Sequence, residues 1–403
     1  MGGAEFLFYR CASYLGSLPS YEVFFVDYKD GFVTNRLKHE RNEVQVILYN
    51  GEPINLPDDS CVIIQLSMIT KISCIFINAN SCRFIFWGIN PGNLYNKVHV
   101  SMMSLFSFYI VNRAERRRIG EILTTYIESG SIRFMDYNNF YTASKTLDLK
   151  IADSLIEYIP VPINSANIVS EPSRLRDGKL SLLWLSRLDG DKYNTIATII
   201  NEISEMKWDI PYILYVIGVG THKEKLMQYA AKKEINVQFL GKISDDNLNM
   251  FIDESVDVGI AMGTSALDIA KRGKPTIIQG FLSHVYKAGV LCDYLGLHEE
   301  FMYNLAKCDI QHPTMAGFSE KLRCILDDYE NISRETLQYV RNNHTMEITS
   351  VALINAIDHA KFYTNLITDI NEVSQIIEKS RGYHFLNIYK TIKSFFCRTN
   401  III

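Results

Sequence analysis

Between Leu180 and Gln279 the chain alternates short apolar runs with longer helical stretches, and this alternation restricts the possible fold more than any other feature. LSLLWL (180–185), YILYVIG (212–218), VQFL (237–240), VDVGIA (256–261) and PTIIQ (275–279) have few polar positions and many aliphatic or β-branched ones. That is the pattern of strands buried on both faces. Asn194–Glu205, Thr221–Lys233, Asp245–Glu254 and Ser265–Arg272 separate them, and their three- and four-residue apolar spacing predicts helices. Strands of this kind joined by crossover helices form a parallel sheet covered on both sides, so the fold class is α/β and doubly wound. Such a sheet binds its ligand outside the carboxyl ends of its strands.

The first 160 residues repeat the style less regularly, with strand candidates YEVFFVDY (21–28), VQVILY (44–49), CVIIQL (61–66), CRFIFWGI (82–89) and SIRFMD (131–136). A second sheet of the same type is expected there. PVPINSANIVSEPSRLRDGK (160–179) holds three of the ten prolines and no periodicity, which marks it as the linker. The boundary is placed near Ser170, giving an N-terminal domain 1–169, a second domain 170–360 and a tail 361–403. Gly2-Gly3 opens a helix with Phe6, Leu7, Cys11, Tyr14 and Leu15 on one face. A strand–helix–strand unit would place a strand ahead of that glycine turn, so the first strand reads as missing: either the start is truncated or the sheet does without it.

With 41 Lys+Arg against 45 Asp+Glu the net charge is -4, which excludes a global pull toward nucleic acid and requires any anion site to be local. The longest stretch without charged residues, Val98–Asn112, is too short for the roughly 18 residues of a spanning helix. The N-terminus lacks the build of a secretory signal. The eight cysteines are scattered singly, without zinc or redox spacing, and read as reduced thiols of a cytoplasmic protein.

Three loops could carry chemistry. After LSLLWL the chain reads Ser186-Arg187-Leu188-Asp189-Gly190-Asp191-Lys192, and Arg187 and Lys192, straddling a glycine turn at a strand's carboxyl end, can converge on a diphosphate. The bland alternative is a solvated turn. Gly218-Val219-Gly220 is a Gly-x-Gly turn between strand and helix, a pattern that also serves purely for tight turning. In Met262-Gly263-Thr264-Ser265-Ala266-Leu267-Asp268, Gly263 lets amides approach a ligand, and Thr264 or Ser265 can cap a helix whose N-terminus attracts phosphate. Asp268 can accept bonds from sugar hydroxyls, or simply complement the helix dipole. Asp189-Gly190-Asp191 spells a metal-binding Asp-x-Asp, but with Arg187 and Lys192 beside it the positive charge is already supplied, and no metal is assigned. The histidines show no ligand spacing.

In this order the motifs resemble the C-terminal half of a GT-B glycosyltransferase, close to the retaining enzymes of glycosyltransferase family 4. The likeness rests on Arg187 and Lys192 at the spacing of a G-R-x4-K loop, Gly218 and Gly220, then V237-Q-F-L-G241 and L267-D-I-A-K-R-G-K-P275. It covers about 100 residues closely. The resemblance implies two Rossmann-like domains facing a central cleft, a C-terminal helix crossing back to the N-terminal domain, and a diphosphate held by Arg187 and Lys192. Asp268 takes the ribose role of the family's second glutamate, while no residue matches the first, which holds the donor sugar. The N-terminal half is more loosely similar: G2-G-A-E5 matches a glycine loop, giving Gly2 and Gly3 a donor-side role, and Y21-E-V-F-F matches the next strand. F86-W-G-I-N-P-G-N-L94 and I132-R-F-M-D136 look like segments of surface-polysaccharide enzymes; Asn90 replaces an expected histidine and takes no role.

The resemblance implies a cytoplasmic, metal-independent hexosyltransferase without cofactor, which moves a sugar from a nucleoside diphosphate sugar to a glycan or polyprenyl-linked glycan in lipopolysaccharide or capsule synthesis. Domain closure about the linker would exclude water. A nucleotide-sugar epimerase and a non-catalytic nucleotide-binding subunit are the rival readings. Arg113–Arg118 reads as a solvated helix face. The basic amphipathic stretch 383–403 reads either as a packing helix or as a peripheral contact with the inner membrane.

Overall fold

The structure, a computed structural model, describes residues 3–37, 43–89, 113–297 and 315–379. The chain divides into two compact units, Met1–Ile159 with Ala352–Ile403, and Pro160–Val351.

The first unit opens with α1 (Gly3–Gly16), followed by β1 (Phe24–Asp27), α2 (Phe32–Leu37) and β2 (Gln45–Leu48). Strands β1 and β2 pair in parallel as a two-stranded sheet. A separate three-stranded parallel sheet contains β3 (Cys61–Gln65), β4 (Arg83–Gly88) and β5 (Ile132–Phe134). A short helix, α3 (Ile72–Ile75), lies between β3 and β4, while α4 (Arg113–Glu128) precedes β5 and α5 (Tyr137–Leu147) follows it. Phe84, Phe86, Ile119, Leu123 and Phe134 share one core with Leu366, Ile370, Val373 and Ile377 of the last described helix, Leu366–Lys379. The C-terminal helix therefore returns to the N-terminal unit. Its polar edge is held as well: Tyr126 donates to Asp369 Oδ2 at 2.7 Å, and Arg118 spans both oxygens of Glu372 at 2.7 and 3.0 Å.

In the second unit, β6 (Leu180–Leu185), α6 (Gly190–Glu205), β7 (Tyr212–Ile217), α7 (Lys223–Lys232), β8 (Val237–Gly241), α8 (Asp245–Ser255), β9 (Val258–Ala261), α9 (Thr264–Ala270) and β10 (Thr276–Ile278) alternate as the periodicity predicts. Two further strands, β11 (Leu291–Tyr294) and β12 (Ala316–Gly317), extend the sheet antiparallel and were not expected. The order is β12-β11-β10-β9-β6-β7-β8, with β10 through β8 parallel. All six residues of β6 are buried, as an uninterrupted apolar central strand must be. Ile196, Ile199, Ile200 and Ile203 of α6 close over Leu182, Trp184, Val216 and Ile260 on one side.

Three helices complete the described chain: α10 (Phe318–Asp327), α11 (Tyr329–Asn343) and α12 (Met346–His359), with Leu366–Lys379 as α13. The sequence reading divides the chain near Ser170, whereas the compact units part after Ile159. Two backbone ties bring 160–169 to the second unit: Ile163 N–H donates to His344 O at 2.7 Å and Val169 N–H to Lys271 O at 3.0 Å. At the far end, α12 runs across the division at Val351–Ala352.

Candidate functional site

Strands β7 and β8 lie to one side of β6 and strands β9 and β10 to the other, so the winding reverses between β6 and β9. A doubly wound sheet opens its ligand crevice at that point, outside the carboxyl ends of the two strands. The chain leaves β6 into Ser186–Asp189 and leaves β9 into Met262–Gly263. These are the loops that carry Arg187 and Gly263, and Lys192 in the first turn of α6 joins them: its Nζ lies 2.9 Å from Met262 Sδ. Two segments 70 residues apart in sequence thus meet at one edge of the sheet.

Arg187 is 54% exposed, and its guanidinium lies 3.0 Å from Asp189 Oδ2. The other oxygen, Asp189 Oδ1, accepts from Thr221 N–H at 3.1 Å. Asp189 thus holds the arginine loop against the turn that follows β7, and both carboxylate oxygens of this half of the Asp-x-Asp are engaged. Among the described residues no group of His, Cys, Asp and Glu has a metal-binding arrangement.

Gly218 and Gly220 have a packing role in this geometry. Gly218 has φ +149°, and a Cβ on it would lie 1.8 Å from Ser186 O; one on Gly220 would lie 2.3 Å from Leu188 C. The two turns run against each other through Leu188 N–H to Val219 O (2.9 Å) and His222 N–H to Leu188 O (2.9 Å). Only glycine allows backbones this close. Gly263 is different: its φ is +61° and a Cβ there would meet open space. Thr264 and Ser265 are half-buried and lie inside the first turn of α9, so neither caps it as expected: the N-cap is Gly263, which has no side chain to accept, and Gly263 O accepts from Ala266 N–H at 3.0 Å. Asp268 forms an ion pair with Lys271, Oδ1 to Nζ 2.9 Å, on a partly buried face. Gly3 begins α1 in the first unit, and Gly2, Asn90 and residues 383–403 lie outside the described residues.

A polar stripe on α6 was missed by the sequence reading. Asn194 Nδ2 donates to Ser283 O (2.9 Å), Thr195 Oγ1 accepts from Leu282 N–H (3.2 Å), and Thr198 Oγ1 accepts from Tyr286 N–H (3.0 Å). Asn201 Nδ2 donates to Tyr286 O (2.6 Å) and Glu202 Oε1 accepts from Val290 N–H (2.9 Å). Burial pushes the Glu202 carboxyl above its ordinary value, against the pull of the Val290 and Gly289 amides. The signal was present: polar residues at three- and four-residue spacing on the buried side of a helix must bond to something. They fasten the segment after β10 along α6.

No protein-family model matches the chain, and no curated protein does. Solved structures do. A crystal structure of Anabaena HepE in complex with UDP and glucose is 14% identical, covering 98% of this chain and 96% of that one with a TM-score of 0.45. A glycosyltransferase from Rickettsia africae is 12% identical over 94% of this chain and 96% of that chain, with a TM-score of 0.47. WaaG, a glycosyltransferase involved in lipopolysaccharide biosynthesis, is 12% identical over 88% and 95%, with a TM-score of 0.46.

Proposed function

We propose that this protein is a metal-independent glycosyltransferase of GT-B architecture that transfers a sugar, with retention, from a nucleoside diphosphate sugar to a glycan or lipid-linked glycan in surface-polysaccharide synthesis. The observation that carries the reading is the Lys192–Met262 contact, which joins the arginine loop after β6 to the glycine turn after β9 at the reversal of the sheet. Arg187 and Lys192 hold the diphosphate there, with Gly263, Thr264 and Ser265 beside it and Asp268 toward the ribose. Gly218 and Gly220 act by setting the arginine loop, and Gly2 and Gly3 belong to the donor side of the first unit. As the glycosidic bond breaks, charge grows on the leaving diphosphate; two cations at a sheet edge stabilise that charge more in the transition state than in the ground state. The reaction takes place in the cytoplasm, and residues 383–403 provide a peripheral contact with the inner membrane; among the described residues no helix is long and apolar enough to cross it.

Calorimetry with UDP, GDP, ADP and TDP tests the assignment. Each charge-assisted bond contributes about 1.5–3 kcal/mol, so Arg187→Ala with Lys192→Ala should weaken binding of the preferred diphosphate by about two to four orders of magnitude. Unchanged affinity in a folded double variant would sink the donor-site reading.

A further inference from the structure

Gln279 is fully buried, yet neither its Oε1 nor its Nε2 has a hydrogen-bond partner. Native proteins rarely leave both ends of a buried amide unmet, and such a group calls for a specific explanation. Its position supplies one. Strands β9 and β10 pair Ile260 with Ile277 and Ala261 with Ile278, and the ladder continues with Gln279 N–H donating to Ala261 O at 3.1 Å. One further step in the same register, just past the ends of both strands, would set Gln279 beside Met262. Side chains alternate between faces along a strand, so Gln279 follows Ile277 and Met262 follows Ile260. Ile260, Met262 and Ile277 all share the core that α6 covers. Gln279 is thus the register neighbour of the residue whose sulfur touches the Lys192 ammonium.

We propose that Gln279 is a specificity residue of this site, its amide binding hydroxyl groups of the donor sugar next to the diphosphate on Lys192. The proposal rests on the glycosyltransferase reading above and names the group that reads the sugar. A primary amide donates through nitrogen and accepts through oxygen, which matches a hydroxyl pair; a phosphate oxygen could satisfy only the donor half. Gln279 is fully buried, so binding the sugar requires its side chain to turn past Met262 toward Lys192, and that turn is part of the proposal.

Gln279→Met tests this, because it keeps the volume and removes both polar groups. Titrations use UDP, GDP, ADP and TDP and their sugar forms UDP-glucose, UDP-N-acetylglucosamine, GDP-mannose, ADP-glucose and TDP-rhamnose. In the variant, affinity for the preferred sugar nucleotide should fall about tenfold while the matching diphosphate stays within about twofold. The melting temperature without ligand should rise by about 2–4 °C, since an unmet buried amide is gone. Gln279→Asn, one methylene shorter, should lose sugar affinity without the rise. Equal loss for sugar nucleotide and diphosphate, no loss for either, or a lower melting temperature in the Met variant overturns the proposal while the transferase reading stands. If none of these nucleotides binds the wild-type protein, both fall together.

Discussion

Replacing Gly218 by alanine should damage the second unit far beyond the ordinary effect of an added methyl group. The new Cβ would lie 1.8 Å from Ser186 O, and real Cβ atoms essentially never come within 3.0 Å of such an atom. The Ser186–Asp189 backbone must therefore retreat by more than about 1 Å, because neither partner is a flexible side chain. That shift acts on the bonds in register with it: Ser186 N–H to Ile217 O (3.1 Å), Leu188 N–H to Val219 O (2.9 Å) and Thr221 N–H to Asp189 Oδ1 (3.1 Å). Losing two or three of them at about 1 kcal/mol each, plus about 1 kcal/mol for a non-glycine residue at positive φ, gives about 3–4 kcal/mol. Gly178→Ala is the control, since Gly178 has φ +85° with nothing near its Cβ and should show only the backbone cost of about 1 kcal/mol. Urea unfolding followed by circular dichroism and tryptophan fluorescence compares the two. Equal unfolding midpoints for the variants would refute the argument that close backbone approach, and not ligand contact, requires this glycine. The same retreat moves Arg187, so diphosphate affinity should fall in Gly218→Ala and stay unchanged in Gly178→Ala.

Two other predictions follow from buried carboxylates. Asp257 is fully buried and accepts from two of the three Arg176 nitrogens, Nε at 2.7 Å and Nη2 at 3.0 Å, as well as from Ser181 N–H at 2.8 Å; Asp257→Ala should cost about 3–5 kcal/mol in urea unfolding by leaving these donors unmet. Asp136 caps α5 through Asn139 N–H at 2.7 Å, and burial pushes its carboxyl up to about 7 from 3.8. A raised carboxyl means that the folded protein holds a proton that the unfolded chain loses, so its contribution is fully present below about pH 4 and is lost as pH rises toward 7. Asp136→Asn keeps a capping oxygen and should flatten the fall in melting temperature across that window; an unchanged slope would remove Asp136 as its cause.

How far the sequence could be read depended on the kind of interaction. LSLLWL coincides with β6, because a strand buried on both faces has no polar face to blur its ends. VDVGIA overreaches: β9 begins at Val258, while Asp257 turns its carboxylate to Arg176 at the start of the sheet. Strands β11 and β12 escaped notice, since two to four residues carry too little pattern to stand out from a loop. Asp268 was legible as an acid one turn into a helix, but its partner Lys271 depended on which rotamers the packed helix allows. The unpartnered amide of Gln279 was invisible in the sequence, because the residue ended a strand candidate like any other polar residue.

The sequence alone determined that a doubly wound parallel sheet occupies the second half of the chain, and that basic and glycine-rich loops leave the carboxyl ends of its strands. Both are local properties, set by side-chain period and by residue type at a turn. The tertiary structure decided which loops become neighbours. It set β9 against β6, so that Lys192 reaches Met262, and it closed the β6 and β7 turns so tightly that Gly218 and Gly220 serve the backbone. It also left the Gln279 amide buried without a partner. Strand order and unmet hydrogen bonds belong to contacts between distant segments, which no local pattern of residues encodes.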